Sequence, residues 1–436
     1  MNCIKYITLI TLLFASYTTI KADHLEIDRD QCRMMALDAS EDIMISQNSV
    51  EQARLDKKAA FTAYLPKLSG SATGIYRTPD SDLSGMALSM KGVYVAGLTL
   101  TQPIYAGGKI YAANRLASIG QAAAEEQKRM TRMDVIAHAD NAYWTYIAVL
   151  AKADMVRAYL AQIDTIYVQT KTAFEAGMIT QTDLARIDAR RSQIIYQLNQ
   201  VESGVDLCRL ALCNIIGVSS DSEIIPLDKE IPCSLPENLS ADISRRPELN
   251  LLQADISAKE QLVKITRADF LPTLGVQAGW SAYGNFKMKG YAEAPDGSYQ
   301  PFTSESKGSG WLVMASLSVP IFNWGEGVHK IRKAKLEVNN ADLTLEKNRR
   351  LMTIEAQQTV NNLLTGYTLI ESANIALHQA QMSLDDMKIR YKAGLATLTD
   401  MLDAQAQWQT SWSNTIEART QFQIYITDYL RATGQL

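Results

Sequence analysis

Two aspartates near the C-terminus, Asp400 and Asp403, stand three residues apart, which puts both carboxylates on one face of a helix. A lone acidic pair on a helix is usually solvated, so its chemistry depends on what the fold brings beside it. The other reactive side chains form no cluster. His24, His138, His329 and His378 are scattered without metal-binding spacing, no glycine-rich loop could cradle a phosphate, and no Ser or Cys sits in a nucleophile setting. An enzyme, a cofactor and a metal centre are therefore not expected. Cys32, Cys208, Cys213 and Cys233 make no CxxC pair, and Cys208 and Cys213 read as packed helix residues, although an exported protein would permit a disulfide.

The first 22 residues carry Lys5, an apolar run from Ile7 to Phe14 and a small residue at Ala22, the pattern of a secretory signal cut before Asp23. Cys3 lies ahead of the apolar run, so a lipid anchor is not expected. Without Lys5 and Lys21 the 43 basic residues become 41 against 47 acidic ones, a net charge of −6, which disfavours nucleic acid as a partner. No later stretch reaches the roughly 18 apolar residues of a spanning helix, so membrane contact must come through strands or surface helices.

The chain is duplicated. YLPKLSG at 64–70 recurs as FLPTLGV at 270–276, and TLTQPIY at 99–105 recurs as SLSVPIF at 316–322. Pro103 and Pro320, Gly177 and Gly394, Asp183 and Asp400, and Gly217 and Gly434 are each 217 positions apart, whereas Pro66 and Pro272 are 206 apart. The 11-residue difference predicts an insertion between the two prolines of the second copy, expected as a long loop from Asn285 to Gly310. The first copy covers 23–217 and the second 244–436, with a linker at 218–243 that bears Pro226, Pro232 and Pro236.

Each copy reads as helix, strand, loop, strand, very long helix, tight turn, helix. Gln31 to Tyr64 and Ser244 to Phe270 are the expected leading helices. Strands are predicted at about 67–76, 93–103, 273–283 and 311–320. In them Tyr94, Ala96, Leu98 and Leu100 face away from Thr99 and Thr101, and Trp311, Val313, Ala315 and Leu317 away from Ser316 and Ser318. Ten residues is the length a tilted strand needs to cross a bilayer. Helical hairpins follow at about 107–216 and 325–433, whose first helices would each be roughly 100 Å long. After Gly177 the residues Leu184, Ile187, Arg191, Ile194, Leu198 and Val201 recur in steps of three and four, a coiled-coil seam with one basic interruption. The matching stripe after Gly394, including Met401, Trp408, Ser411, Thr415, Phe422 and Tyr429, suits a helix with neighbours on both sides.

Four strands cannot close a membrane barrel alone, because the smallest use eight and an open edge cannot face lipid. Subunits must share one barrel.

RYKAGLATLTDMLDAQ at 390–405, TRADFLPTL at 266–274 and SRRPEL at 244–249 resemble the TolC family of outer-membrane efflux proteins, over essentially the whole mature chain. The resemblance implies a mainly α fold with transmembrane β-strands: a homotrimer with a twelve-stranded β-barrel on an α-helical barrel. Four strands per copy give the same twelve in a trimer. It also implies a passive duct in the outer membrane of a Gram-negative bacterium, reaching into the periplasm and gated at its periplasmic tip. The duct would serve a tripartite efflux or type I secretion system and touch outer-membrane lipid, a periplasmic adaptor and, directly or through that adaptor, an inner-membrane pump. By the same resemblance Gly177, Met178, Thr180, Gly394, Leu395 and Thr397 match adaptor-docking turns. Asp183 and Tyr391 match tip-closing residues, while Ala396 stands where the family's closing arginine would be. Asp400 and Asp403 match a periplasmic acidic constriction; six carboxylates around one axis would raise the pKa of some of them. Thr180 or Thr182, and Thr397 or Thr399, can cap the returning helices. The alternative is a periplasmic coiled-coil adaptor or structural protein, but such a protein would carry one hairpin between soluble β-domains.

Overall fold

A computed structural model describes residues 24–83, 86–228, 231–236, 238–293, 295 and 297–436; the expected signal segment lies outside them. Among the described residues no helix is long and apolar enough to cross a membrane. The described residues hold seven helices: α1 (Arg29–Ala39), α2 (Glu41–Thr62), α3 (Lys109–Glu175), α4 (Gln181–Ile216), α5 (Pro247–Ala268), α6 (Glu326–Lys392) and α7 (Leu398–Ala432). The strands are β1 (His24–Ile27), β2 (Lys67–Tyr76), β3 (Ser81–Leu83), β4 (Met86–Ser89), β5 (Lys91–Ala106), β6 (Glu223–Pro226), β7 (Thr273–Glu293) and β8 (Tyr299–Ser318). The helices carry the duplication: α2 and α5 are offset by 206 at both ends, and α3 and α6, each 67 residues long, by 217 at both ends.

The chain forms two compact units, one of Asn48–Glu125 with Asn250–Glu346, the other of the residues up to Gln47 with Glu126–Leu249 and Lys347–Leu436. Each takes segments from both copies. In the first, an antiparallel sheet runs β2-β5-β7, with β8 on the far side of β7 and the short β4 and β3 beyond the β5 pairing. The register sets Leu68 opposite Leu100, Leu98 opposite Trp280 and Trp280 opposite Trp311, so one face of the sheet is apolar. The other face carries Ser69 opposite Thr99 and Thr99 opposite Gly279. The apolar face is uncovered: Leu68, Leu98, Trp311 and Val313 are all more than half exposed. A continuous apolar surface of this kind marks an interaction or membrane surface.

The predicted loop from Asn285 to Gly310 is corrected by the structure. β7 and β8 stay paired out to Glu293 and Tyr299, so most of the inserted residues extend the hairpin. Asn285, at φ 62°, forms a bulge where the register shifts, and its amide donates to the Lys91 and Gly92 carbonyls at 2.9 and 3.0 Å. Beyond that bulge Phe286, Met288 and Gly290 resume the alternation, which the Gly/Ser/Pro content of the segment disguises. The single helix expected from Gln31 to Tyr64 is also corrected: the chain breaks at Ser40, with φ −68° and ψ 120°.

The second unit is helical. Ile187 and Ile194 of α4 are fully buried against Tyr159 and Ile163 of α3, with Leu384, Met401 and Trp408 in the same core. Arg191, the basic interruption of the seam, pairs with Asp164 at 2.6 Å and lies over the Tyr167 ring. α7 buries Met401, Leu402, Gln405, Trp408, Phe422 and Tyr429, a stripe wider than a two-stranded seam needs. β1 and β6 form a parallel pair absent from the sequence reading, and it brings Ile27 and Ile224 onto Tyr143 and Tyr146. Here Arg33 donates twice to Asp140, at 2.6 Å from both Nε and Nη2, and Thr427 donates to the same carboxylate at 2.8 Å. The four cysteines among these residues are free.

The candidate gate at the helical turns

Both turns between long helices are built alike. Gly177 has φ 72° and Gly394 has φ 71°. The Met178 amide donates to Ala173 at 2.8 Å and the Gly177 amide to Phe174 at 2.9 Å; Leu395 and Gly394 repeat this with Arg390 and Tyr391 at 2.8 and 3.0 Å. This paired closure of a left-handed helix end needs glycine for its backbone conformation, since a Cβ at either position would meet nothing within 4 Å. Met178 and Leu395, which follow the glycines, are 79% and 80% exposed, leaving one apolar side chain uncovered at each turn.

Of the capping threonines left open by the sequence, the structure selects Thr180 and Thr397. Each accepts the backbone amide of an acid three residues on, Asp183 or Asp400, at 3.2 Å. Each hydroxyl in turn donates to that acid's carboxylate at 2.7 Å. At Thr397 the backbone amide also donates to Asp400, at 2.9 Å, completing a reciprocal cap. The Thr397 hydroxyl, and after it the Thr397 amide, hold the Asp400 carboxyl below its ordinary 3.8. Within one chain the cap stabilises the charged form. Asp403 is exposed one turn further on, without an ion-pair or hydrogen-bond partner among the described residues.

Asp183 and Tyr391 are not joined by a hydrogen bond among the described residues. The Asp183 carboxylate turns to Thr180, while Tyr391 packs beside the helical core and lines a cavity of about 160 Å³ with Gln162 and Gln405. Gln405 is fully buried, and neither end of its amide has a partner within the described chain.

Beside the caps, a polar contact between the two hairpins comes from a residue absent from the sequence reading. Arg186 of α4 donates through Nη1 to Thr399 Oγ1 of α7 at 2.7 Å. The signal for it was available: Arg186 lies 217 positions before Asp403, so the duplicated site carries a cation in one copy and an anion in the other.

The outer membrane efflux protein family matches residues 33–218 and 238–435. The chain is 24% identical to outer membrane protein TolC of Escherichia coli strain K12 over 413 residues, covering 90% of this chain and 80% of that protein. It is 23% identical to outer membrane protein OprJ of Pseudomonas aeruginosa, covering 92% of this chain and 82% of OprJ. In fold it is similar to the Campylobacter jejuni CmeC outer membrane channel, with a TM-score of 0.74 at 20% identity, covering 93% of this chain and 85% of that one. The apolar sheet face, the paired 67-residue helices and this match over most of the length agree, and the chain belongs to the outer membrane efflux protein family.

Proposed function

We propose that three copies of this chain close one β-barrel in the outer membrane and one helical duct below it, a passive exit for cargo of a tripartite efflux or secretion system. The observation that carries this reading is the sheet β2-β5-β7-β8, apolar on one face and open along the outer edges of β2 and β8. Lipid cannot satisfy those backbone groups, so the edges must meet other copies. Four strands from each of three chains make the twelve of a closed barrel. A periplasmic adaptor has no use for a bilayer-length apolar sheet, and the channels among the relatives support the duct. The test is light scattering of the detergent-purified protein: three chains per particle are expected, and a monodisperse monomer that keeps its strand signal would end the shared-barrel model.

The turns at Gly177 and Gly394 are the periplasmic end of the duct. Met178 and Leu395, held out by their glycines and by the caps at Thr180 and Thr397, serve as the apolar contacts of a periplasmic adaptor. Closure rests on Arg186 and Thr399, which take the place of the arginine missing at Ala396, with Asp183 and Tyr391 setting the shape of the same region. Asp400 and Asp403 of three chains form the acidic ring that cargo and ions must pass.

A further inference from the structure

A wide groove between α2 and α3 is lined by basic and aromatic side chains. Its volume is about 730 Å³, and Arg54, Lys57, Lys58 and Arg115 line it, with no acidic side chain among the lining residues. Arg54 is paired with Glu51 at 3.3 Å, whereas Lys57, Lys58 and Arg115 have no carboxylate partner among the described residues. Asn114 holds the floor by donating to the Ala60 carbonyl at 2.9 Å, and Lys57 reaches across to Gln121 at 3.1 Å. Three aromatic rings complete the wall: Phe61, Tyr64 and Tyr111, which are 57%, 40% and 67% exposed.

Position gives this chemistry its meaning. Tyr64 stands three residues before β2 begins at Lys67, and Tyr111 five residues after β5 ends at Ala106. The groove is therefore at the end of the strands from which the long helices leave, the level of the periplasm-facing lipid headgroups. Aromatic rings with basic side chains at that level fit a phosphate-bearing headgroup above an apolar glyceride. The groove also lies within one copy. α2 continues into β2 and α3 leaves β5, its direct neighbour in the sheet, while other copies join at the outer edges of β2 and β8. We infer that the groove between α2 and α3 binds the phosphate headgroup of an anionic phospholipid of the periplasm-facing leaflet, anchoring the duct at a fixed depth.

The inference rests on the outer-membrane placement but not on the gate or on the adaptor. Its test is native mass spectrometry of the full-length protein released from nanodiscs of phosphatidylethanolamine and phosphatidylglycerol. Retained phosphatidylglycerol is expected, and the triple change Lys57→Gln, Lys58→Gln, Arg115→Gln should cut it at least about tenfold with phosphatidylethanolamine unaffected. Equal retention by a variant of unchanged oligomeric mass overturns the proposal. Loss of the lipid on adding millimolar inorganic phosphate also overturns it, since the groove would then read free phosphate. In a second measurement, a bimane label on Ser118→Cys should be quenched by headgroup-spin-labelled phosphatidylglycerol. Absence of quenching would turn the groove toward the duct and overturn the lipid assignment.

Discussion

Arg186 of the first hairpin and Thr399 of the second meet at 2.7 Å, in a hydrogen bond that crosses from one copy of the duplicated sequence to the other. A hairpin that moves outward must break it. Arg186→Ala, or Thr399→Val, should therefore favour the open tip. Single-channel conductance of the reconstituted protein should rise in either variant, and the double variant should add little, because both changes remove one contact. Unaltered conductance in all three would assign closure to other residues.

Asp400 and Asp403 should make the duct select cations. Replacing both by Asn keeps their size and removes charge, so cation selectivity should fall. Block by a trivalent ion from the periplasmic side should weaken about tenfold, on the order of 1.4 kcal/mol. The pH dependence has a definite sign. Asp400 is held below 3.8 in the folded chain, so its cap contributes stability above pH 3.8 and loses it as pH falls through the lower folded value. The hydrogen-exchange protection factor at the first turn of α7 should be constant above that pH and fall below it.

Met178 and Leu395 are 79% and 80% exposed and stand out from their turns. Met178→Asp with Leu395→Asp should leave thermal stability within about 0.5 kcal/mol of the parent, as surface changes do. Binding of the adaptor encoded with this protein should weaken at least about tenfold by surface plasmon resonance, some 1.4 kcal/mol. Unchanged affinity would move adaptor docking away from the turns.

Arg33 and Asp140 make a bidentate ion pair in the helical unit, the Asp140 side chain being 1% exposed. Arg33→Ala strands that carboxylate and should cost about 3 kcal/mol or more, read as a lower unfolding midpoint. Arg33→Ala combined with Asp140→Asn should recover part of the loss, since the amide can still accept from Thr427. If the double variant is no better than the single one, the buried charge is not the cause.

The sequence by itself determined what local rules control. The duplication and the turns between the long helices were legible, because Gly177, Gly394 and the capping threonines stop and start helices through their own backbone chemistry. The two faces of the strands were equally legible, since a period of two survives any arrangement of neighbours, as Leu98 and Thr99 illustrate. Tertiary structure decided what depends on a distant partner. The hairpin from Phe286 to Ser306 is strand because β7 finds β8 there, although its composition is that of a loop. β1 has four residues and no pattern of its own, and exists through its pairing with β6 nearly 200 residues away. Arg186 looked like an ordinary charge on a helix face, and only the packing of one hairpin against the other gave it Thr399. Asp400 shows both influences: its spacing from Thr397 was visible in the chain, but only the folded turn aimed its carboxylate back at the cap, where hydrogen bonds favour its charged form.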